Sequence, residues 1–424
     1  MVSFLYFYTL EKYNFSNEVF LSRKNFMKRS IRNGFIKRWD TLIYMDQAAS
    51  SFPKPKEVIE AINEHLTTYA ANPGRGGHQL ANKASNIIQE TRILAAEIFG
   101  NSNPNKCLFY QNATIAINQA VKGLHWNKGD HIIASSVEHN AMRRPLEFIK
   151  DTYGVNVTYI DWNGNNNAFI DAFKKNINQS TKLVALTHSS NVTGSILPIN
   201  DVFKISKKNG IITLLDASQT AGHLSIHMQE EQIDMLVFPG HKGLLGPQGI
   251  GMLLVQNDID LNPIHHGGTG VFSEARLQPS EWPEKLESGT LNTVGIVGLN
   301  AALKLYKKRK EENVSRETLL ANKLYEGLKK IEGVTCYSPN QERRIPIVAF
   351  NLWDIPSQEI AIVLDSHYNI AVRAGLHCNP LEHNTLHTLE QGIIRASLSI
   401  YNTETEIDTF IKAIEEIAEA YREI

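Results

Sequence analysis

The chain has 424 residues, 42% of them apolar and 21% charged, with a formal net charge of −1. That length is enough for two or three domains, or one large domain with a smaller companion, each with its own core. Near-neutral charge argues against an electrostatic nucleic-acid binder, and no stretch approaches the roughly 18 apolar residues of a membrane span.

Residues 1–40 hold eight Lys/Arg against three Asp/Glu, so the remainder is acidic, net −6. Aromatic and basic residues alternate there without a helical period. No basic segment precedes the apolar VSFLYFYTL and no small-residue cleavage site follows it, so a secretory signal does not fit. We read 1–43 as a poorly ordered N-terminal extension; a transit peptide is the weaker reading. Three scattered cysteines (Cys107, Cys336, Cys378) make no disulfide framework and point to a reducing, cytoplasmic setting.

From Tyr44 onward, short apolar runs alternate with amphipathic ones. CLFY (107–110), HIIASS (131–136), VNVTYI (155–160), KLVALTH (182–188), GIITLLD (210–216) and DMLVF (234–238) read as strands. Helical patterns lie between several of them, with Ile117, Val121 and Leu124 on one face. Nearly continuous apolar strands separated by helices imply a mostly parallel sheet covered on both faces, an α/β fold. After about residue 297 the texture changes. Helical stretches at 299–312 and 316–332 lead to a strand at 346–352, a helix near 357–367 and a strand at 370–374. The last helix carries an apolar stripe from Ile407 to Ile417, with Thr403 and Glu406 spaced as a capping box. The expected organisation is a large domain over 61–296 and a smaller α+β domain from 44–60 with 297–424.

Four segments that follow strands carry chemistry. FPGHKGLLGPQG (238–249) presents His241 and Lys242 on a glycine-rich loop, where a lysine can form a Schiff base with a carbonyl. Asp216 ends an apolar strand, at the sheet edge where ligands of open α/β folds bind. Asn112-Ala113-Thr114 turns from a strand into a helix, which makes an anion site. His139 follows HIIASS and could stack on a planar ring. Taken singly, these are a loop lysine, a helix cap, another cap and a surface histidine. Together they supply what pyridoxal 5′-phosphate needs: a lysine for the aldehyde, an acid for the ring nitrogen, a flat partner and a phosphate cradle.

These residues sit within YMDQAAS (44–50), NPGRGGHQLA (72–81), QNATIAIN (111–118), VEHN (137–140), HSSNVTG (188–194), DASQTAG (216–222), FPGHKGLLGPQG (238–249), ESGTLNT (287–293) and RAGLHCNPLEH (373–383). As a set they resemble the class V aminotransferase superfamily, and within it the cysteine desulfurase/selenocysteine lyase branch, related to the group II desulfurases. The resemblance implies pyridoxal-phosphate fold type I, with a mostly parallel seven-stranded sheet in the large domain. It implies Lys242 as the lysine bonded to the cofactor, Asp216 as partner of the pyridine nitrogen and Gln219 as donor to the ring hydroxyl. His139 matches the stacking residue. Ala113, Thr114 and His241 match phosphate contacts. Thr290 matches a phosphate contact reached from the other subunit, which implies a homodimer. Asn191 and Arg395 match the groups that hold the substrate carboxylate, with Arg373 nearby. A bidentate guanidinium also suits that task on chemical grounds alone.

Cys378 bears on the reaction. Beside His377, it reads as a thiolate nucleophile whose pKa a neighbouring imidazolium would lower. It matches the sulfur-accepting cysteine of desulfurases, which implies L-cysteine as substrate and a sulfur-acceptor protein as partner. Cys107 and Cys336 lie in apolar surroundings and read as packing residues. His377, Cys378, His383 and His387 lack the paired spacing of a metal site, so no metal is expected. The chain departs from the family pattern at Asn379, Pro239, Ile115 and Gln47. Selenocysteine lyase, another class V aminotransferase or β-lyase, and a cofactor-binding relic are the alternatives.

Overall fold

The computed structural model describes residues 42–74, 77–256, 258–340 and 344–422, with the side chains of 309–314 left aside. The extension read over 1–43 thus lies almost wholly outside the described residues, and Ile43 is already paired in a strand.

The chain enters through β1 (Ile43–Tyr44) and α1 (Lys56–Glu64), and then a long α2 (Gln79–Phe99). An alternating series follows: β2 (Cys107–Tyr110), α3 (Ala113–Lys122), β3 (His131–Ser135), α4 (Asn140–Tyr153), β4 (Asn156–Ile160), α5 (Asn166–Asn176), β5 (Thr181–Thr187), α6 (Ile199–Lys208) and β6 (Ile212–Asp216). Then come β7 (Met235–Pro239) and β8 (Gly251–Val255). These strands form one seven-stranded sheet in the order β2-β8-β7-β6-β5-β3-β4. All six apolar runs read from the sequence are strands of it. The seventh strand, β8, was not among them, and it alone runs against its neighbours.

Successive residues of each strand point to opposite faces, which explains why the runs are apolar throughout. Ile133, Val184, Leu215 and Leu236 face one layer, with Phe99, Phe173, Phe203 and Phe238. Ile132, Leu183, Leu214 and Met235 face the other, with Ile117, Val121, Met142 and Leu146. Burying side chains of this size contributes about 1.5–3 kcal/mol each.

A single helix, α7 (Thr293–Leu328), replaces the two stretches expected at 299–312 and 316–332. Its first turns put Ile296, Leu299 and Leu303 into the core of the large sheet. Its last turns put Leu320, Leu324 and Leu328 into a separate core. That second core is built on β9 (Val334–Cys336), β10 (Ile347–Leu352), α8 (Ser357–Tyr368), β11 (Ile370–Ala371), β13 (Ile393–Ser397) and α10 (Glu404–Arg422), with β12 (Arg373–Gly375) and α9 (Pro380–Thr385) falling between β11 and β13 in the chain. The strand expected at 370–374 is divided between two sheets. β12, β13, β10 and β9 form an antiparallel sheet, while β11 pairs in parallel with β1. The capping box at the start of α10 is present in both directions: Thr403 N–H donates to Glu406 at 2.8 Å and Glu406 N–H to Thr403 Oγ1 at 3.2 Å.

Candidate active site

β2, β7, β6, β5 and β3 all run the same way, so their carboxyl ends open onto one edge of the sheet. In spatial order this edge presents the 112–114 turn, then His241 and Lys242, then Asp216, then the turn with Asn191, then His139. Residues scattered over 130 positions become neighbours because parallel strands share a polarity.

Two glycines bring Lys242 and Asp216 together. A Cβ on Gly222 would lie 2.2 Å from the Gly243 carbonyl carbon, and one on Gly243 would lie 2.7 Å from Ala221 O. The loop after β7 therefore presses backbone to backbone on the turn after β6, which no larger residue permits. Burial pushes the Lys242 amine down to about 8, against the pull of Asp216. Part of the lysine surface stays accessible. Asp216 is buried. Its Oδ1 accepts from Ser218 N–H at 2.9 Å, and burial holds its carboxyl above the usual range despite that bond and the Lys242 charge.

His139 caps α4, its Nδ1 accepting from Ala141 N–H at 3.0 Å. Burial, then Lys242 and Arg395, push it down to about 4, so the ring is neutral at pH 7. Beside it, Glu138 is fully buried, accepts from Ser135 Oγ at 2.5 Å and Thr187 N–H at 2.9 Å, and is pushed by burial up to about 8. Sequence reasoning assigned Glu138 no role.

Ala113 and Thr114 open α3, whose cap Asn112 accepts from Ile115 N–H at 3.0 Å. β8 lies tight against this turn, since a Cβ on Gly251 would meet Ala113 N at 3.1 Å. His241 is half-buried and neutral, pushed by burial to about 4, and its Nδ1 has no hydrogen-bond partner. Gln219 is buried and donates to Ala48 O at 3.2 Å. Thr290 is exposed, on the loop that follows Glu287. That loop is anchored by a buried ion pair, Arg92 Nη2 to Glu287 Oε2 at 2.5 Å, while Glu287 also takes the Phe109 N–H at 2.7 Å. Removing one partner of such a pair costs about 3–5 kcal/mol.

The second core contributes the cations. Arg395, on β13, is buried. Its Nη1 donates to Asn191 O at 2.7 Å, its Nη2 to Asp46 Oδ1 at 3.0 Å, and its Nε has no partner. Asp46 belongs to the YMDQAAS segment but was given no role from sequence. Arg373 is more exposed and lies 3.8 Å from the other Asp46 oxygen. Asn191 donates to His377 O at 2.7 Å.

Cys378 is exposed, and its carbonyl accepts from Asn140 N–H at 2.9 Å, directly after His139. The imidazolium expected beside it is absent. His377 is buried, its Nε2 bonds Ile393 O at 2.9 Å, and burial with the Arg395 charge pushes it down to about 2. His377 instead stacks on His383, ring centroids 5.9 Å apart. Among the described residues, no group of three His, Cys, Asp or Glu is placed to hold a metal ion. Burial pushes the Cys107 thiol up to about 12 and the Cys336 thiol to about 11, which suits packing residues.

The family model for class-V aminotransferases matches residues 43–410. The chain belongs to the class-V aminotransferase family. Among its relatives, the family member named "probable cysteine desulfurase" from Methanothermobacter thermautotrophicus is 32% identical over 383 residues, 89% of this chain and 94% of that one. One of the same name from Pyrococcus abyssi is 33% identical over 391 residues, 90% of this chain and 95% of its own. Among solved structures, the apo cysteine desulfurase of Thermococcus onnurineus superimposes with a TM-score of 0.84 at 31% identity, covering 90% of this chain and 95% of the other. Among the described residues no helix of this class-V chain is long and apolar enough to cross a membrane.

Proposed function

We propose that the protein is a cysteine desulfurase that converts L-cysteine to L-alanine and leaves the sulfur as a persulfide on Cys378. The observation that carries this reading is the bond from Asn140 N–H to Cys378 O, which ties a solvent-exposed thiol to the residue following His139. A transaminase has no use for a thiol there. The named relatives support the same activity.

The residues fit pyridoxal 5′-phosphate. Lys242 would bond its aldehyde, Asp216 would meet its ring nitrogen, Gln219 its hydroxyl and the neutral His139 ring its face. Ala113, Thr114 and the unpartnered His241 Nδ1 would receive its phosphate, with Thr290 of a second copy completing a homodimeric site. When bound, the cofactor supplies an electron sink for the pair left at Cα.

The protein's own groups do the rest. Arg395 and Asn191 bind the substrate carboxylate, and Arg373 adds positive charge at the entrance. Lys242, with its amine pushed toward neutrality, takes the Cα proton. The Cys378 thiolate attacks the substrate Sγ. An S–S bond forms, the Cβ–S bond breaks with its electron pair kept on carbon, and Cβ takes a proton. Substrate sulfur is thereby transferred and alanine is released. Only seventeen positions separate Cys378 from Arg395, so the thiol stays close to the site and a sulfur-acceptor protein must dock to collect the sulfur. Three free cysteines fit a cytoplasmic setting. We take the two cores as two domains, 61–296 and 44–60 with 297–424.

The test is to add L-cysteine to the purified, cofactor-loaded protein and measure alanine and sulfide, with selenocysteine in parallel. Alanine from L-cysteine, lost in Cys378→Ala, is the expected result. Full activity in Cys378→Ala removes the thiol from the mechanism, and activity with selenocysteine alone makes the protein a selenocysteine lyase.

A further inference from the structure

The turn carrying Cys378 is held by side chains rather than by regular structure. His377 and Cys378 have φ values of 49° and 59°. Residues with a Cβ adopt that region only where their surroundings impose it. The chain on either side of the thiol is gripped. Asn191 Nδ2 takes the His377 carbonyl at 2.7 Å, and Asn140 N–H takes the Cys378 carbonyl at 2.9 Å.

The third grip is Asn379, which is fully buried. Its Nδ2 lies 2.9 Å from Val137 O, 2.8 Å from Glu382 Oε2 and 3.3 Å from Asn191 Oδ1. Two amide hydrogens serve three acceptors there, on the β3–α4 connection, on α9 and on the turn after β5. Glu382 is buried as well. It accepts from Ser190 Oγ at 2.6 Å and from Thr193 Oγ1 at 2.9 Å, both on the turn that carries Asn191. A buried carboxylate is tolerable only with such a set of donors. A helix cap for α9 needs none of this reach, since Asn379 Oδ1 alone serves Glu382 N–H at 3.4 Å.

We propose that Asn379 and Glu382 are positioning residues for sulfur transfer: through Asn191 they set where the Cys378 thiol stands relative to the substrate held by Arg395. The coupling runs through one residue, because Asn191 holds His377 by its side chain and Arg395 by its carbonyl. The proposal rests on the desulfurase reading above and adds two residues that neither touch the substrate nor belong to the cofactor cradle.

The test uses the full chain loaded with pyridoxal phosphate and two substrates. L-cysteine needs the thiol. β-Chloro-L-alanine does not, since chloride leaves Cβ with its own electron pair and water completes the reaction to pyruvate and ammonia. Asn379→Ala should lower kcat for L-cysteine roughly ten- to a hundredfold, the scale expected for a misplaced reacting group. Turnover of β-chloro-L-alanine should stay within about threefold of wild type on the same argument. Glu382→Gln should give a smaller loss with the same split. Equal losses on both substrates, or none on L-cysteine, overturn the proposal. A wild-type protein that processes β-chloro-L-alanine but makes no alanine from L-cysteine instead defeats the desulfurase reading, and the proposal with it. Backbone hydrogen exchange reads the grip without turnover. It should quicken over 376–386 in Asn379→Ala and stay unchanged over 238–249, whereas unchanged exchange in both segments overturns the proposal.

Discussion

The edge of the large sheet and the Cys378 turn hold reactive groups by opposite means. At the sheet edge, Asp216 is the last residue of β6 and Lys242 sits three residues beyond β7, both strands being hydrogen-bonded on both sides. Their placement is a by-product of strand polarity and of one glycine-to-glycine contact. The thiol lies three residues past β12, a three-residue strand at the margin of a small sheet, in two left-handed residues with side chains as struts. The first arrangement is rigid because the fold is rigid. The second is rigid only as far as its few hydrogen bonds, each worth about 0.5–1.5 kcal/mol. Substitutions should therefore separate two losses, one of the cofactor chemistry as a whole and one of sulfur transfer alone.

The largest effect is expected where the two losses coincide. Lys242→Ala should abolish the cofactor absorbance band and reduce turnover of every substrate by ~10³-fold or more. If L-cysteine is still consumed at a wild-type rate, the sheet edge is not the catalytic centre. Cys378→Ala should sharpen the contrast, with alanine formation gone while the band and β-chloro-L-alanine turnover remain. Arg395→Gln lies between the regions and removes a charge-assisted contact worth about 1.5–3 kcal/mol. KM for L-cysteine should rise by roughly ten- to a hundredfold by that figure, with kcat less affected; steady-state kinetics will tell.

The smallest effect is a pH profile. Burial brings the Lys242 amine down from its usual value to about 8, so in the apoprotein about a tenth of it is already neutral at pH 7. Only the neutral amine attacks an aldehyde. Cofactor uptake by the apoprotein should therefore quicken as pH rises and level off above about 8. Stopped-flow absorbance would show it, and a rate still climbing at pH 10 would mean that the lysine is not buried as described.

Much of this was legible from residues alone. Apolar runs bounded by turn signals located six strands of the large sheet, and motifs at their ends placed the lysine, acid, histidine and the 112–114 turn along one sheet edge. β8 carries no such boundary, because GMLLV continues directly out of the glycine-rich loop with no separate turn signal before it. Helix α7 read as two because KKRKEEN (307–313) interrupts its apolar stripe, although a helix leaving one core for another needs no stripe between them. His377 misled for a different reason. Adjacency in sequence suggested a charged neighbour for Cys378, while the left-handed turn sends that ring into the core. Glu382 and Asp46 were invisible as partners because their counterparts, Ser190 and Arg395, lie 192 and 349 positions away.

The pairing of β1 with β11 has a consequence for how the molecule is made. Ile43 and Ile370 are bonded neighbours separated by 327 positions. At about 5–20 residues per second on a ribosome, the first of them waits roughly 15 to 65 seconds for the second. Asp46 waits longer still for Arg395, its ion-pair partner. The sheet edge with Lys242 can form while synthesis is under way, but the Arg395–Asp46 pair and the Cys378 turn cannot. A ribosome-bound chain is therefore chemically incomplete until its last strands emerge, so premature termination yields fragments that lack the means to mobilise sulfur.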